Sequence, residues 1–216
     1  MKNRFDLLVF DWDGTLVDSI EWIVHCIHQA ARACGYALPS DQAAKNVIGL
    51  RLDEALSRLF PNATAATEQQ LIQAYQSAYQ SRPMTRNDFF HGVYDLLQQL
   101  KQEGYALAVA TGKTRKGLHK ALEATGTTTL FAATRCADET ASKPDPLMLL
   151  QLMEETETDN SRTLMIGDSI HDLQMARQAD VESIAVSCGA NSAQDLKQQK
   201  PLLCLQTTAE LREILT

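Results

Sequence analysis

VFDWDGTLVD, residues 9–18, is the stretch that decides the fold. The apolar run Leu7–Phe10 predicts a buried strand, which ends in two aspartates, Asp11 and Asp13, separated by one residue. Open α/β sheets carry their chemistry at strand ends, and Gly14 favours a turn that directs both carboxylates toward one point. Two carboxylates so close repel each other unless a positive group lies between them. Alone, the pattern also fits a strand followed by an ordinary Asp-Gly turn, so other segments must decide.

Composition restricts the class of protein. The 216 residues are 44% hydrophobic and 22% charged, which is typical of a globular protein that folds in water. No apolar run approaches the roughly 20 residues of a membrane helix, and the first one is too short for a signal peptide, so we expect a cytoplasmic protein without a membrane partner. The net charge of −7 argues against a nucleic-acid partner. The one basic cluster is predicted to be a solvated helix face: Lys113, Arg115, Lys116 and Lys120.

The periodicity divides the chain into two units. Apolar residues at helical spacing, and no strand pattern, occupy residues 18–84. From residue 85 onward, helical and strand patterns alternate, which is typical of a parallel sheet with helices on both faces. The first strand precedes the helical stretch and the others follow it. We therefore predict a discontinuous α/β core, residues 1–17 and 85–216, with residues 18–84 inserted as an all-helical unit.

Residues that can bind a metal ion or a phosphate group follow four of the predicted strands. If these ends converge, the site holds four carboxylates and one lysine, with a local charge of about −3. Such a site needs a divalent cation, and oxygen ligands without a paired His or Cys favour Mg²⁺. The residues at these ends are Asp11 and Asp13, then Thr111 and Gly112, then Lys143, and finally Asp168 and Asp172.

Each of these residue types has a chemical task in phosphoryl transfer. An aspartate can attack phosphorus as a nucleophile and form a covalent phosphoenzyme. A second aspartate, two residues later, can protonate the leaving oxygen and then activate water. The Lys143 ammonium and the Thr111 hydroxyl would neutralise the remaining phosphoryl oxygens.

Together, these motifs resemble those of the haloacid dehalogenase superfamily of hydrolases. The resemblance rests on Asp11-Trp-Asp-Gly-Thr15, Thr111, Lys143-Pro144 and Gly167-Asp-x-x-x-Asp172, in this order, and covers essentially the whole chain. The helical insertion and the form of the last motif look like the branch that includes phosphoglycolate phosphatase and β-phosphoglucomutase. The resemblance implies a Rossmann-like doubly wound parallel sheet with an inserted helical cap.

The resemblance also implies roles for the acidic residues. Asp11 resembles the nucleophile and a magnesium ligand, and Asp13 the general acid/base whose backbone carbonyl also binds the metal. Asp168 resembles a further metal ligand. Asp172 resembles a carboxylate that orients either a water on the metal or Lys143.

The remaining implied roles concern the substrate. Thr111, the Gly112 amide and Lys143 resemble the phosphate cradle, and the helical unit resembles a mobile cap. Its loop at residues 48–51 is the expected contact segment, where Arg51 could hold an anionic leaving group or simply be an exposed arginine at a helix start.

Two positions depart from the family pattern. Trp12, between the aspartates, is bulkier than expected and is predicted to narrow the site or to pack beneath the cap. Asp180 stands where relatives usually have glycine after a helix, a change expected to affect only a turn.

The sequence favours a Mg²⁺-dependent phosphatase that acts on a small phosphorylated metabolite, either phosphoglycolate-like or a sugar phosphate. A β-phosphoglucomutase-like phosphomutase would use the same residues and is the alternative. Dehalogenation is disfavoured because that chemistry does without metal and without an equivalent of Asp13. A non-catalytic module is disfavoured because no part of the motif set is missing. The physiological substrate, and the choice between monomer and homodimer, stay open.

Overall fold

The computed structural model of the protein describes all 216 residues and contains one six-stranded sheet. Every neighbouring pair of strands is parallel. The strands are β1 (Leu7–Phe10), β2 (Ala106–Thr111), β3 (Ala133–Cys136), β4 (Thr163–Gly167), β5 (Glu182–Val186) and β6 (Leu203–Leu205). They lie in the order β3-β2-β1-β4-β5-β6, which confirms the predicted α/β fold with a doubly wound parallel sheet.

Helices separate the strands along the chain. Five of them, α1 to α5, lie between β1 and β2, and we call the first four the helical unit. No helix is both long enough and apolar enough to span a bilayer. The bounds are α1 (Ile20–Ala33), α2 (Asp41–Lys45), α3 (Leu52–Leu59), α4 (Ala65–Gln80), α5 (Val93–Gln102), α6 (Arg115–Thr125), α7 (Leu147–Glu155), α8 (Ile170–Gln178), α9 (Ala193–Gln198) and α10 (Arg212–Leu215), with short 3₁₀ turns at Arg86–Asp88, Asn160–Arg162 and Thr208–Leu211.

Strand β1 is apolar throughout because both faces of the sheet are covered. Successive side chains point to opposite faces of a strand. Leu8 and Phe10 join a cluster of 24 buried residues that includes side chains of α5 and α6. Leu7 and Val9 join a second cluster of 15 buried residues with α7 and α8. This double burial explains why β1 reads as a continuous hydrophobic run.

The sheet order brings the predicted site residues to one edge. Strand β1 is central, with Phe10 paired with Val109 of β2 on one side and Ile166 of β4 on the other. Because all strands are parallel, their carboxyl ends meet at the same edge. Asp11 therefore follows the central strand β1. Thr111 is the last residue of β2, and Asp168 directly follows β4.

The chain enters and leaves the helical unit at one place. The Asp18 amide donates to the Asp88 carbonyl at 2.8 Å, and the Phe90 amide donates to the Leu16 carbonyl at 3.0 Å. Val17 and Phe89 form an isolated antiparallel bridge between the two connecting segments. The two connections are thus paired with each other directly beside the Asp11–Asp13 turn.

Trp12 does not lie where the sequence predicted. Its side chain is fully buried among the residues that α5 and α6 pack against the sheet, edge-on to Phe89 and Phe131 with ring centroids 5.9 and 6.3 Å away. Trp12 neither packs beneath the helical unit nor narrows the site. Alternation along the chain explains this, since Trp12 points away from the side on which Asp11 and Asp13 lie.

Asp180 adopts a left-handed backbone conformation, with φ of 54°, just after α8. Its carboxylate accepts a hydrogen bond from the side-chain amide of Asn160 at 3.1 Å. Asp is tolerated in this conformation at a modest cost in free energy, whereas Gly has none. The departure from the family pattern therefore lies in a turn, as expected.

Trp12→Ala should lower the free energy of unfolding by about 3–5 kcal/mol, because it leaves a large cavity in the core. Trp12→Phe should cost less than about 1.5 kcal/mol, because it fills most of that volume and removes an indole N–H that has no hydrogen-bond partner. Urea unfolding followed by circular dichroism measures both values. Equal losses in the two variants would contradict the packing role.

Candidate active site

A buried lysine bridges two of the predicted aspartates. The Lys143 Nζ atom lies 2.7 Å from Oδ1 of Asp11 and 2.6 Å from Oδ1 of Asp172. All three side chains are at least 98% buried. Oδ2 of Asp11 accepts no hydrogen bond, although Asp11 lines a cavity. One oxygen of Asp11 is therefore fixed by Lys143, and the other is available to a ligand.

The two aspartates of the last motif are held by local contacts. Oδ1 of Asp168 accepts from the Thr15 hydroxyl at 2.7 Å, and its Oδ2 accepts from the Ala190 amide at 2.7 Å. Asp172 is the third residue of α8, and its Oδ2 accepts from the hydroxyl and the amide of Ser169, the N-cap. This capping box fixes Asp172 so that its other oxygen faces Lys143.

Gly14 is required for this arrangement. Its φ of 78° is in the left-handed region, and a Cβ atom there would lie 2.3 Å from Oδ2 of Asp168. Only glycine combines this turn with such a close approach. The turn after β1 and the carboxylate after β4 are thereby brought together.

Burial dominates the electrostatics of the cluster. It raises the pKa of Asp11 to about 7, although the Lys143 ammonium opposes the change. It raises the pKa of Asp168 well above its usual range. Burial lowers the pKa of Lys143, but the two carboxylates raise it by more, so the ammonium stays charged. The site therefore holds more acidic groups than its lysine can neutralise.

The donor set fits a hard divalent cation. One carboxylate oxygen from each of Asp11, Asp168 and Asp172 lies within 4.8 Å of the others, and all three residues are buried. Oxygen donors of this kind suit Mg²⁺ better than softer metals. The residues after β1 and β4 could therefore hold such an ion, while Asp172 is already engaged by Lys143.

Asp13 pairs with a second cation of the site, which the sequence did not predict. Oδ1 of Asp13 accepts from the Ser19 hydroxyl at 2.6 Å, and Oδ2 lies 2.9 Å from Nζ of Lys113. The same ammonium donates to the Tyr79 hydroxyl of α4 at 2.8 Å. The prediction that Lys113 belongs to a solvated helix face is wrong, because it precedes α6 and its side chain is only 11% exposed.

The second lysine changes the charge balance. With Lys113, the four carboxylates face two ammonium groups, and the formal charge is −2 instead of the expected −3. A divalent cation would neutralise this charge. Among the other predicted basic residues, Arg115 pairs with Glu139 at 2.5 Å, whereas Lys116 and Lys120 are exposed at the rim of the cavity.

The cavity that opens on Asp11 and Asp13 has a volume of about 500 Å³. It lies between the carboxyl edge of the sheet and the helical unit, and half of its 26 lining residues are hydrophobic. Gly112 and Lys113 form part of its floor, and side chains of α1, α3 and α4 cover it. Such a mixed lining is typical of a small-molecule site.

A loop of the helical unit is docked on the edge of the sheet. A Cβ atom at Gly112 would lie 2.6 Å from the carbonyl oxygens of both Gly49 and Leu50. The Arg51 amide donates to the Ser142 hydroxyl at 3.0 Å, and the His171 ring contacts the Asn46 carbonyl at 3.1 Å. The helical unit is therefore closed over the site.

Two predicted substrate residues are placed differently from the rest. The Arg51 guanidinium pairs with Asp53 at 2.6 Å, is about half exposed, and does not line the cavity. Thr111 is buried at the end of β2, where its hydroxyl accepts from the Lys113 amide at 3.2 Å. The structure thus brings Asp11, Asp13 and Gly112 to the cavity. The other residues predicted to contact the substrate, Arg51, Thr111 and Lys143, do not line it.

Sequence reasoning missed the contacts that six residues make with the charged groups of the site: Thr15, Ser19, Tyr79, Lys113, Ser169 and Ala190. Thr15 and Lys113 stand within or beside recognised motifs, so their positions carried a signal. Tyr79 and Ala190 carried none, because both stand outside the recognised motifs and Ala190 contributes only its backbone amide.

A comparison with known protein families shows to which family the chain belongs. The family model described as haloacid dehalogenase-like hydrolase matches residues 8–186, which contain every predicted site residue. This chain belongs to the haloacid dehalogenase-like hydrolases. The predicted family membership is therefore confirmed, and the chain is an enzyme of the hydrolase class.

Relatives of this hydrolase carry phosphatase names. It is 35% identical to "Probable phosphatase IndB" of Dickeya dadantii, over 95% of this chain and 91% of that protein. It is 33% identical to phosphoglycolate phosphatase of Agrobacterium fabrum, over 85% and 81% of the two chains. Among solved structures, β-phosphoglucomutase from Clostridium difficile shares the fold with a TM-score of 0.83 at 18% identity, over 96% of this chain and 93% of that one.

Gly112→Ala should lower kcat/KM of this haloacid dehalogenase-like hydrolase roughly 100-fold, because a methyl group there collides with the backbone of the docked loop and displaces it. Gly112 does not have left-handed backbone geometry, so the variant should fold normally. Steady-state kinetics and thermal unfolding measure the two effects. Wild-type kinetics in the variant would contradict the closed geometry.

Without a divalent cation, wild type should lose stability relative to Asp11→Asn as the pH rises from about 4 to about 7. The pKa of Asp11 is raised in the folded chain, which therefore keeps a proton that the unfolded chain releases. This contribution is fully present below pH 3.8 and is lost as the pH approaches 7. Urea unfolding in chelator across this range measures the difference. A difference that does not change with pH would be the contrary result.

Proposed function

We propose that this hydrolase is a Mg²⁺-dependent phosphatase that cleaves small phosphate monoesters through an aspartyl-phosphate at Asp11. One observation carries the proposal: Lys143 holds one oxygen of Asp11, the other oxygen is free, and Asp13 opens on the same cavity. A nucleophile and an acid/base thus face one volume. The phosphatase names of the relatives support the same reaction.

In the first step, the free oxygen of Asp11 attacks phosphorus on the side opposite the ester oxygen. The bond between phosphorus and the ester oxygen breaks, and Asp13 donates its proton to that oxygen, so that an alcohol leaves. Lys143 holds Asp11 in position during the attack, because its ammonium is fixed between Asp11 and Asp172. The Gly112 amide and the Thr111 hydroxyl are assigned to the phosphoryl oxygens.

In the second step, Asp13 takes a proton from a water molecule as that water attacks phosphorus. The bond between Asp11 and phosphorus breaks, inorganic phosphate leaves, and the Asp11 carboxylate is restored. Asp13 ends this step protonated and ready for the next ester. The Ser19 hydroxyl and the Lys113 ammonium fix the two Asp13 oxygens between steps.

A magnesium ion held by Asp11, Asp168 and the Asp13 backbone carbonyl would neutralise charge on the phosphoryl group. Asp168 is oriented for this role by Thr15 and Ala190. Asp172 holds Lys143 rather than facing the ligand directly.

The helical unit is assigned as the cap over a core of residues 1–17 and 85–216. It contributes the apolar roof of the cavity and contacts the edge of the sheet through its loop at residues 46–51. A closed cap excludes bulk water, which would otherwise compete with the ester for the reacting groups. The Tyr79 hydroxyl links this cap to Lys113 and thus to Asp13.

Turnover of a generic aryl phosphate, with and without Mg²⁺, tests the assignment. We expect release of inorganic phosphate that requires the ion. Asp11→Asn should abolish turnover, and Asp13→Asn should reduce it by about 10²–10⁴-fold while the protein still binds Mg²⁺. Undiminished turnover by Asp11→Asn would remove the nucleophile from the scheme.

Two controls sharpen this experiment. Glu139→Gln alters a carboxylate that pairs with Arg115 outside the cavity, and it should leave turnover unchanged. A sugar monophosphate separates hydrolysis from the mutase reaction, since a mutase would return the phosphoryl group to the sugar without releasing inorganic phosphate. Net phosphate release from both kinds of ester is the result expected of a phosphatase.

A further inference from the structure

Three lysines follow one another along a single wall of the cavity: Lys113, Lys116 and Lys120, here called the lysine row. Residues three and four apart share a face of a helix, which places Lys116 and Lys120 together on α6. Both are exposed, and neither pairs with a carboxylate. The first turn of α6 has no acidic residue that could compete for them. Two free cations therefore stand at the rim of the cavity.

The opposite wall of the cavity is mostly apolar. Its apolar side chains come from the helical unit and belong to the hydrophobic cores of that unit, while Gln76, Tyr79 and Gln80 of α4 are its polar members. Such a wall favours a planar or apolar group over a chain of hydroxyls, because buried hydroxyls without partners cost free energy. The apolar lining residues are Ile23, Ile27, Val47, Leu50, Leu56 and Tyr75.

The size of the cavity argues against a very short leaving group. A volume of about 500 Å³ falls within the roughly 300–1,000 Å³ of cavities that hold drug-sized ligands. The Lys113 ammonium is already engaged by Asp13 and Tyr79. Lys116 is the second residue of α6, and Lys120 lies about 6 Å further along the helix axis. An anion bound by these two lysines must be well separated from the reacting phosphate.

We propose that the preferred substrates are phosphate monoesters whose leaving group carries an apolar or aromatic body and, at its far end, a second anionic group. The body packs against the apolar wall, and the distal anion lies against Lys116 and Lys120. This inference rests on the proposed phosphatase function and specifies its substrate class. Phosphoglycolate, whose carboxylate lies close to its phosphate, is too short to make both contacts.

A matched pair of esters tests the proposal: phenyl phosphate and 4-carboxyphenyl phosphate, which share the ring and differ in the distal anion. Wild type should prefer the carboxylated ester in kcat/KM by about tenfold at low salt, because two exposed cations attract its anion. Added salt should reduce this preference, since it screens exposed charges. Phosphoglycolate should be a poorer substrate than either ester.

Substitutions of Lys116 and Lys120 test whether these lysines cause the preference for the carboxylated ester. Lys116→Ala combined with Lys120→Ala should bring the ratio for the two esters close to one, chiefly by lowering kcat/KM for 4-carboxyphenyl phosphate. Lys197→Ala, which removes an exposed lysine of α9 outside the cavity, should leave the ratio unchanged. Lys116, Lys120 and Lys197 are all exposed, so these variants should fold normally.

Three outcomes would overturn the inference. They are a wild-type ratio near one, an unchanged ratio in the double variant, and a higher kcat/KM for phosphoglycolate than for both aryl esters. Absence of turnover with all three esters is a separate result, because it overturns the proposed phosphatase function and with it the substrate class.

Discussion

The ammonium of Lys143, buried between Asp11 and Asp172, is the interaction on which the site depends. A charge removed from water must be paired and hydrogen-bonded, and loss of one partner of a buried ion pair costs about 3–5 kcal/mol. Lys143 meets two carboxylates, at 2.7 and 2.6 Å, that follow β1 and β4. It thereby ties the end of the central strand to the start of α8. The parallel sheet supplies the edge, and this pairing decides which oxygen of Asp11 faces the cavity.

A second cation gives the site a link to the helical unit. Lys113 contacts Asp13 on the core side and Tyr79 on α4, so one side chain contacts both parts of the molecule. The docked loop at Gly49 and Leu50 provides another contact, at Gly112. Asp13 and Gly112 are therefore adjacent to the surfaces through which the helical unit and the edge of the sheet meet. Both contacts involve one short segment, residues 111–113.

The central strand and the parallel sheet could be predicted from the sequence. The run before Asp11 predicted the central strand because both of its faces are buried, and the alternation after residue 85 predicted the parallel sheet. Alternation along the chain places Trp12 on the face opposite Asp11 and Asp13, but only the tertiary structure shows that α5 and α6, and not the helical unit, cover that face. Ala190 contributes only a backbone amide, and Tyr79 belongs to a helix outside the recognised motifs, so residue type carries no sign of either contact. Local motifs therefore predicted which polar residues meet at the edge of the sheet, whereas tertiary packing decided what holds them.

The paired connections at Leu16–Asp18 and Asp88–Phe90 have a consequence for evolution. The insertion starts and ends at adjacent points, held together by backbone hydrogen bonds that make no demand on side chains. Segments of this kind tolerate replacement, because their ends stay in place whatever lies between them. The helical unit could be lengthened, shortened or exchanged without shifting Asp11 or the strands beside it. Selection can thus diversify what the enzyme recognises while the machinery of bond cleavage is inherited intact.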